Sequence, residues 1–228
     1  MKNLVVLTGA GISAESGIST FRDANGLWEG HNIMEVASPE GWQANPDLVN
    51  NFYNLRRAQL KTVNPNPAHL MLAELEKYYN LTIITQNVDN LHERAGSNNV
   101  LHLHGELNKV REINNPESIL EWDKDLTCND THNGSILRPH IVWFGEDIPL
   151  FSKAKEIATT AHIFLIIGTS LQVYPAAGLY HYAPENTPII YIDSNPSQDV
   201  LEDSRIHTIS KTASEGLISI KQKLIEIA

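Results

Sequence analysis

Cysteine is nearly absent from this chain, in which Cys128 is the single copy among 228 residues. One cysteine cannot form an internal disulfide, and such sparse use is typical of a reducing compartment. Long apolar runs are missing as well. The N-terminal run is too short for a signal peptide, and none approaches the roughly 20 residues of a membrane span. We therefore expect a soluble, cytoplasmic protein that binds no membrane.

Positive charge is also scarce, with 17 Lys and Arg residues against 27 Asp and Glu residues and a formal net charge of −10. An acidic surface repels the phosphates of nucleic acids, so we expect no nucleic-acid partner. The same charge suits a positively charged partner such as a lysine-rich peptide. Apolar residues make up 42% of the chain. That is enough for a packed core. The length fits one domain with an elaborated insertion. We expect the protein to be a monomer.

Short apolar, β-branched runs recur along the chain and end in turn or small polar residues, a pattern typical of buried parallel strands. They are NLVVLTG, LTIITQN, HIFLIIGTS, PIIYIDS and IHTIS. Helical patterns lie between them, so the sequence predicts an α/β fold with a Rossmann-like, doubly wound parallel sheet. We assign this Rossmann-like domain to residues 1–24, 80–105 and 139–228. Two segments break the alternation and are predicted to form a smaller inserted domain: 25–79, and the polar, irregular 106–138.

The stretch NLVVLTGAGIS predicts a strand that runs into a glycine turn. Gly9 and Gly11 allow a sharp turn and a close approach to a ligand. A helix beginning near Ser13 would direct its amides at a pyrophosphate. A lone G-x-G without the third glycine also fits a tight strand-to-helix turn, so this loop alone leaves both interpretations open.

Five motifs occur together in one order: GAGISAESGISTFRD, TQNVDNLHERAG, LHLHGEL, LRPHIVWFGE and IIGTSLQVYPAAG. With them the chain resembles the sirtuin family of NAD-dependent protein deacylases, from about Leu4 to the C-terminal helix. Only the segment around 112–135 departs from the family's pattern. The resemblance implies that NAD is consumed as a co-substrate, and that the smaller domain combines a helical module with the remnant of a zinc ribbon.

The resemblance also implies roles for individual residues. Phe21 would cover the reacting ribose, Arg22 would lie near the phosphates, and Gln86 would contact the nicotinamide ribose. The catalytic residues it implies are Asn87, which positions ribose and water, Asp89, which holds the carboxamide, and His104. The implied NAD-binding set is Gly9, Ala10, Gly11, Ser13, Glu15, Phe21, Arg22, Trp28, Gln86, Asn87, Val88, Asp89, Gly168, Thr169, Ser170, Asp193, Ser194, Asn195 and Ala213.

The two histidines of LHLHGEL are expected to have different roles. Only one is expected to face the cleft, and the resemblance selects His104 as general base, for which a near-neutral pKa is suitable. His102 is expected to be structural or supporting. A further departure from the family is Asp193, where Asn is common. An acidic residue can accept from ribose hydroxyls and would repel a 2′-phosphate, so we expect NAD rather than NADP.

In the implied reaction, the carbonyl oxygen of an acylated lysine attacks C1′ of the nicotinamide ribose, and nicotinamide leaves. His104 then takes a proton from the ribose diol, so that the 2′-oxygen attacks the imidate carbon. Water completes the release of lysine and an O-acyl-ADP-ribose. The substrate peptide would lie between residues 142–146 and 171–174 and pair through its backbone. Its lysine tunnel is expected to be lined by Val142, Trp143, Phe144 and Gly145.

Tyr53 and Arg56 indicate which acyl group is removed. They are three residues apart, so on a helix they share a face, and a phenol with a guanidinium can hold a carboxylate. Together with the small Ala37, this pattern resembles the sirtuin subclass that removes succinyl and malonyl groups. Acetyl-lysine is expected to remain a substrate. In the simpler interpretation, Tyr53 packs in the core and Arg56 is a solvated helix charge.

The cysteine pattern departs from the family, most of whose members bind a structural zinc with two C-x-x-C pairs. Between Glu106 and Arg138 this chain has only Cys128, and His132 four residues later completes no ligand set. We therefore predict that no zinc binds. We expect the segment to be held instead by packing, through Ile119, Leu120, Trp122 and Ile136, or else to be mobile.

Three other functions remain as alternatives. A Rossmann dehydrogenase would produce NADH, but the TQNVD and HLHG motifs and the missing third glycine disfavour it. A mono-ADP-ribosyltransferase would use the same activated C1′ with a different acceptor. A non-catalytic NAD or acyl-lysine binding module is disfavoured because Asn87, Asp89 and His104 are all present.

Overall fold

The computed structural model describes residues 1–20 and 27–228. Its strands are β1 (Asn3–Thr8), β2 (Leu27–Trp28), β3 (His31–Asn32), β4 (Asn80–Thr85), β5 (Val100–His102), β6 (Gly105–Glu112), β7 (Ile119–Glu121), β8 (Thr131–His132), β9 (Ser135–Ile141), β10 (Ile163–Ile167), β11 (Ile189–Ile192) and β12 (Ile206–Ile209). Its α-helices are α1 (Gly11–Ala14), α2 (Ile33–Val36), α3 (Pro39–Ala44), α4 (Pro46–Leu60), α5 (Pro67–Leu75), α6 (Leu91–Arg94), α7 (Phe151–Thr159), α8 (Gln198–Glu202) and α9 (Ala213–Glu226), and a 3₁₀ helix spans Ala176–Tyr182.

The main sheet has six parallel strands in the order β12-β11-β10-β1-β4-β5. This is the order of a Rossmann-like sheet, which confirms the predicted fold class. The strand β5 was not among the five predicted runs. Because the chain winds one way from β1 to β4 and β5 and the other way through β10 to β12, the switch point lies between β1 and β10. The carboxyl ends at this point are where such folds bind their ligands.

The two faces of the main sheet bury alternate residues of each strand. In β1, Leu4 and Val6 pack with Leu72 of α5 and Leu217 of α9. Val5 and Leu7 lie on the other face, with Ala154 of α7. Successive side chains of a strand point to opposite faces, so both faces of these strands must be apolar when helices cover both. In the described part of the chain, no helix is both long and apolar enough to cross a bilayer.

The helix α4 carries the predicted acyl-binding residues and begins at a well-defined cap. The Asn45 side chain accepts from Leu48 N at 3.0 Å, and Pro46 occupies the start of the helix. An Asn cap followed by proline fixes a helix start because it satisfies a free amide and presets the first turn. Tyr53, inside α4, is fully buried in a cluster that includes Phe52 and Trp143.

Residues 105–141 form an antiparallel sheet in the order β7-β6-β9-β8. The description of 106–138 as irregular was therefore wrong. The expected packing was partly wrong as well: Ile119 and Ile136 are each 44% exposed. The small core consists of buried Val110, Leu126 and Leu137, with Leu120 and Trp122 packed against it.

Two buried polar side chains of α4 connect it to this antiparallel sheet. Asn54 Nδ2 donates to Leu126 O at 3.0 Å, and Leu126 N donates to Asn54 Oδ1 at 2.8 Å. Arg57 donates from Nε to Leu107 O at 2.8 Å and from Nη1 to Lys124 O at 3.3 Å. Hydrogen bonds between α4 and two separate stretches of backbone therefore fix the small sheet against the helix.

The division of the chain into domains remains a prediction. Two observations bear on its limits. The helix α5 lies in the range assigned to the insertion, yet its Leu72 and Leu75 pack with the parallel sheet. The strand β9 runs across the proposed boundary at 138/139.

Candidate active site

Glycines bring two loops into contact at the switch point of the parallel sheet. Gly11 N donates to Gly168 O at 2.8 Å, which joins the loop after β1 to the loop after β10. A Cβ at Gly9 would lie 2.7 Å from Gly168 O, and one at Gly11 would lie 2.7 Å from Gly168 Cα. Gly168 itself has a φ of 64°. These glycines are therefore required by the backbone contact between the two loops, independently of any ligand.

The helix after this loop differs from the prediction. It spans only Gly11–Ala14 and begins at Gly11, with Ala10 as its N-cap residue. A helix of one turn has almost no accumulated dipole, so the expected helix-end attraction for a pyrophosphate is weak. Ser13 lies inside the helix and is fully buried.

Ser13 joins a buried polar cluster with Asn87 and Asp89. Ser13 Oγ donates to Asp89 Oδ2 at 3.0 Å, and Asn87 Nδ2 donates to Ser13 Oγ at 3.1 Å. Leu91 N donates to the other carboxylate oxygen of Asp89 at 3.1 Å. Burial raises the pKa of Asp89, against the opposing effect of these bonds from Leu91 and Ser13. The cluster therefore fixes two of the three predicted catalytic side chains.

His104, the third, lies in the turn that follows β5. Its Nδ1 is 3.0 Å from Gln86 O. A carbonyl only accepts, so Nδ1 carries the proton and Nε2 carries the lone pair of the neutral ring. Burial lowers the pKa of His104, while the bond with the Gln86 carbonyl acts in the opposite direction. A neutral imidazole with a fixed tautomer is the form that a general base requires.

The other histidine is directed elsewhere. His102 is the last residue of β5, and residues 103–104 form a turn. Residues i and i+2 of a continuous strand share a face, so it is the end of β5 that lets the two rings diverge. His102 Nε2 lies 2.8 Å from Glu93 Oε1, and its Nδ1 lies 3.0 Å from Asn87 O. Glu93 was not singled out in the sequence, although it is part of the TQNVDNLHERAG motif.

Gln86 connects the carboxyl ends of three strands, β1, β4 and β10, and we call this edge of the sheet the rim. Its backbone amide donates to Thr8 O at 2.9 Å, and its Oε1 accepts from Thr169 Oγ1 at 3.4 Å. Its Nε2 is buried and has no hydrogen-bond partner among residues 1–20 and 27–228. A buried donor of this kind fits a polar ligand such as a ribose. Val88, two residues later, accepts from Leu107 N at 2.8 Å through its backbone and so connects the rim to β6.

The residues predicted to contact adenosine lie at the ends of β10 and β11 and at the start of α9. Asp193 is buried and its Oδ1 accepts from Asn195 N at 2.8 Å, while Ser194 and Asn195 are exposed. Ser170 follows Thr169 and is half-buried, and Ala213 is buried in the first turn of α9.

Glu15 has a structural use that the sequence did not indicate. Its two carboxylate oxygens accept from Thr212 Oγ1 at 3.2 Å and from Ser214 N at 2.9 Å. It therefore supports the start of α9, and its contact with NAD remains a prediction. Trp28 packs edge-to-face on Phe52 with ring centroids 4.8 Å apart. The predictions for Phe21 and Arg22 lie outside the described residues.

One of the predicted tunnel residues contacts Tyr53, and their segment is hydrogen-bonded to the turn that carries His104. Trp143 is buried, and its Nε1 donates to the Tyr53 hydroxyl at 3.1 Å. Val142 N donates to His104 O at 2.9 Å, and Phe144 N donates to Ala37 O at 2.9 Å. Phe144 is 41% exposed. Gly145 follows with a φ of 91°. The segment thus runs from the buried tyrosine to the surface, and its role as a lysine tunnel remains a prediction.

Arg56 is a cation that the described residues satisfy only in part. Its guanidinium lies 5.1 Å from the centre of the Phe52 ring, and its Nη1 is 3.8 Å from Glu29 Oε2. Its Nε is buried and has no hydrogen-bond partner in the described part of the chain. The side chain is 16% exposed, so it is not the solvated helix charge of the simpler interpretation.

The residues around Cys128 do not fit a tetrahedral structural zinc site. The thiol donates to Asp47 Oδ1 at 3.0 Å. Burial, together with the Asp47 carboxylate, raises the pKa of the Cys128 thiol, which disfavours the thiolate that zinc requires. Within the described ranges, no three His, Cys, Asp or Glu side chains are grouped to hold a metal. That no zinc binds remains a prediction.

Three features define a Rossmann-type nucleotide-binding protein. They are the parallel sheet, the contact between the glycine loops after β1 and β10, and the polar side chains at the ends of the strands. Comparison with known proteins identifies its family: residues 9–175 match the Sir2 family, and the chain belongs to it. A Helicobacter pylori protein named NAD-dependent protein deacylase is 56% identical over 229 residues, covering 100% of both chains.

Solved structures agree with this assignment. A Sir2 homologue mutant in complex with ADP-ribose has a TM-score of 0.89 at 36% identity, covering 99% of this chain and 93% of that one. A Sir2 homologue in complex with NAD has a TM-score of 0.87 at 36% identity, covering 99% of this chain and 90% of that one.

Proposed function

We propose that this NAD-dependent protein deacylase removes succinyl, malonyl and acetyl groups from lysine, releasing nicotinamide and O-acyl-ADP-ribose. The observation that carries the proposal is the arrangement of His104 beside the Gln86–Asp89 segment. A half-buried imidazole with its lone pair on Nε2 lies next to this segment. The segment also holds the hydrogen-bonded Asn87–Ser13–Asp89 cluster and a Gln86 side-chain amide that has no partner among the described residues. These polar groups are suited to the ribose and carboxamide of NAD, and related structures hold NAD or ADP-ribose.

The roles of the rim residues follow from their chemistry. Asp89 can accept from the carboxamide of NAD, and Gln86 Nε2 can donate to a ribose hydroxyl. NAD supplies an activated ribose carbon for attack by the acyl oxygen. His104 Nε2 then takes the proton that leaves the ribose hydroxyl, and the Gln86 carbonyl stabilises the ring by accepting from Nδ1.

Tyr53 and Arg56 are proposed to bind the carboxylate of a succinyl or malonyl group. The Tyr53 oxygen accepts from Trp143, so its own hydrogen remains available as a donor. Burial raises the pKa of Tyr53, which keeps the phenol protonated at neutral pH. The Arg56 Nε offers a second, charged donor. Acetyl-lysine has no carboxylate, so it would enter the same tunnel without these two bonds.

The acylated lysine is proposed to arrive on an extended segment of a substrate protein. The exposed Phe144 lies on one side of the expected groove, and Val173 and Tyr174, 37% and 72% exposed, lie in the segment predicted for the other side. Backbone pairing between two such segments reads little side-chain identity, so broad sequence tolerance is expected.

The test uses one peptide carrying acetyl-, succinyl- or malonyl-lysine, with nicotinamide release as the readout. We expect Arg56→Met to lower kcat/KM on the two acidic acyl groups by tens of fold or more and to change deacetylation little, since loss of a buried charged contact costs about 2–5 kcal/mol. Arg205→Met, at a 50% exposed arginine side chain, is the matched control and should change none of them.

Two outcomes would count against the proposal. Equal losses on all three peptides in Arg56→Met would contradict the carboxylate site and leave the deacylase assignment intact. Absence of nicotinamide release by the wild-type protein with every peptide would contradict the proposed reaction itself. His104→Ala should lose continued nicotinamide release with all three acyl groups, because the base acts after the first nicotinamide has left and the enzyme cannot then complete a turnover.

A further inference from the structure

His102 is a buried histidine whose two ring nitrogens both contact hydrogen-bond acceptors. The residue is 7% exposed. Its Nε2 lies 2.8 Å from the Glu93 carboxylate, and its Nδ1 lies 3.0 Å from the main-chain oxygen of Asn87. We call this arrangement the Glu93–His102 pair.

These two contacts determine the protonation state of the ring. A carbonyl oxygen and a carboxylate have no proton to give, and a neutral imidazole has one N–H. One of the two contacts would then join two acceptors, which is repulsive. Both contacts are hydrogen bonds only when the imidazole carries two protons, as the imidazolium. The tautomer ambiguity of a histidine therefore does not arise here.

The surrounding charges favour this state. Burial alone lowers the pKa of His102, but the hydrogen bond and charge of Glu93 outweigh burial, and the net shift is upward. The pKa of Glu93 is lowered despite its own burial, through its bond with His102. The other charged or titratable groups that act on this site are His69 on α5, Asp89 after β4, His92 on α6, and Glu106 and Lys109 on β6.

The bond from His102 completes the fixation of the Asn87 main chain. The Asn87 amide donates to Thr85 Oγ1 at 3.0 Å, and its carbonyl accepts from His102 Nδ1. The preceding carbonyl, that of Gln86, accepts from His104. Two consecutive carbonyls are therefore held by two histidines, and of these only His102 is required to be charged.

We propose that His102 is a positioning residue for the deacylation reaction: held as an imidazolium by Glu93, it donates its second ring proton to the Asn87 carbonyl and thereby fixes the Asn87 side chain. This rests on the proposed function, in which Asn87 orients the ribose and water. When His102 loses a proton at alkaline pH, the remaining N–H goes to the carboxylate, because a charge-assisted bond is the stronger one. The Asn87 carbonyl is then released.

The kinetic test compares His102→Phe with wild type. We expect kcat to fall about 10- to 100-fold, as misplacement of a reacting group does, with little change in KM for NAD. His207→Phe, at an exposed histidine of β12, is the matched control and should keep the wild-type kcat. Wild-type kcat in His102→Phe, with the fold intact by circular dichroism, would overturn the proposal.

Glu93→Gln keeps the shape of the pair and tests the charge, whether or not the phenylalanine variant folds. A glutamine amide can donate to Nε2, which lets a neutral His102 donate from Nδ1 to Asn87. Wild-type kcat should therefore decline at alkaline pH, with a midpoint above 6.5, and the decline should vanish in Glu93→Gln. An identical alkaline limb in both proteins would overturn the proposal.

Nitrogen NMR of histidine-labelled protein reads the charge directly and needs no activity. At pH 6.5, the histidine whose signals are missing from the His102→Gln spectrum should have both ring nitrogens protonated in most molecules. A neutral ring at that position would contradict the proposal. A charged ring in a protein that releases no nicotinamide would instead contradict the proposed function, so the two failures are distinguishable.

Discussion

Arg57→Leu tests how the small sheet is held against α4. Arg57 is 3% exposed. Its bonds to Leu107 O and Asn54 Oδ1 are each 2.8 Å, and that to Lys124 O is 3.3 Å. Leucine would remove all three hydrogen bonds and leave their acceptor oxygens without these donors inside the protein. At about 1.5 kcal/mol or more per bond from a charged group, we expect a loss of about 3–5 kcal/mol.

Hydrogen exchange of the backbone amides in residues 105–141 measures this loss where it occurs. A cost of about 3–5 kcal/mol corresponds to exchange that is about 10²- to 10⁴-fold faster, if these amides open as a unit. Leu55→Ala, at a 59% exposed position of the same helix, is the control and should leave exchange unchanged. A change of less than about tenfold in Arg57→Leu would refute the reasoning.

Three further predictions concern His104, the contact between the loops after β1 and β10, and metal binding. Because the pKa of His104 is lowered from 6.5 and the base must be neutral, the acid limb of kcat/KM should lie below 6.5, and a midpoint above that value would count against the assignment. Gly168→Ala should lower the free energy of unfolding in urea more than Gly134→Ala. Both glycines have a positive φ, which costs about 1–2 kcal/mol for alanine. Of the two, only a Cβ at Gly168 would meet backbone, 2.3 Å from Ile12 N. Equal losses would refute the contact. Dialysis against a chelator should leave Tm unchanged, because no third zinc ligand joins Cys128 and Asp47 among the described residues. A drop in Tm, with zinc found by elemental analysis, would overturn the prediction.

The parallel sheet was predictable because its strands are buried on both faces. Runs such as NLVVLTG and HIFLIIGTS are continuously apolar, and the turn residues after them mark the ends where ligands bind. The strand β5 was missed because it has only three residues. The positions of Asn87 and Asp89 followed directly from the end of β4.

The antiparallel sheet was not predictable in the same way. β6 pairs with β9 across the intervening residues 113–134, and its segment GELNKVRE alternates only weakly between apolar and polar residues. Strand pairing over such a distance is a property of the fold and leaves little local signal. The links through Asn54 and Arg57 likewise join α4 to residues about 50 to 70 positions away.

The different directions of the His102 and His104 rings also became clear only from the structure. Position in the motif alone distinguishes His102 from His104 in the sequence, and the end of β5 decides which ring reaches Glu93 and which donates to the Gln86 carbonyl. The pattern of Tyr53 and Arg56 did predict a shared helix. It gave no sign that Trp143 bonds to the phenol or that Glu29 lies beside the guanidinium.

The most direct test of the central claim is mass spectrometry of the products formed from NAD and a succinyl-lysine peptide. We predict free lysine peptide, nicotinamide and O-succinyl-ADP-ribose in equal amounts. With His104→Ala, the free lysine peptide and O-succinyl-ADP-ribose should be absent, and nicotinamide should not exceed one molecule per enzyme molecule. A peptide that retains ADP-ribose, or the appearance of NADH without nicotinamide, would contradict the account.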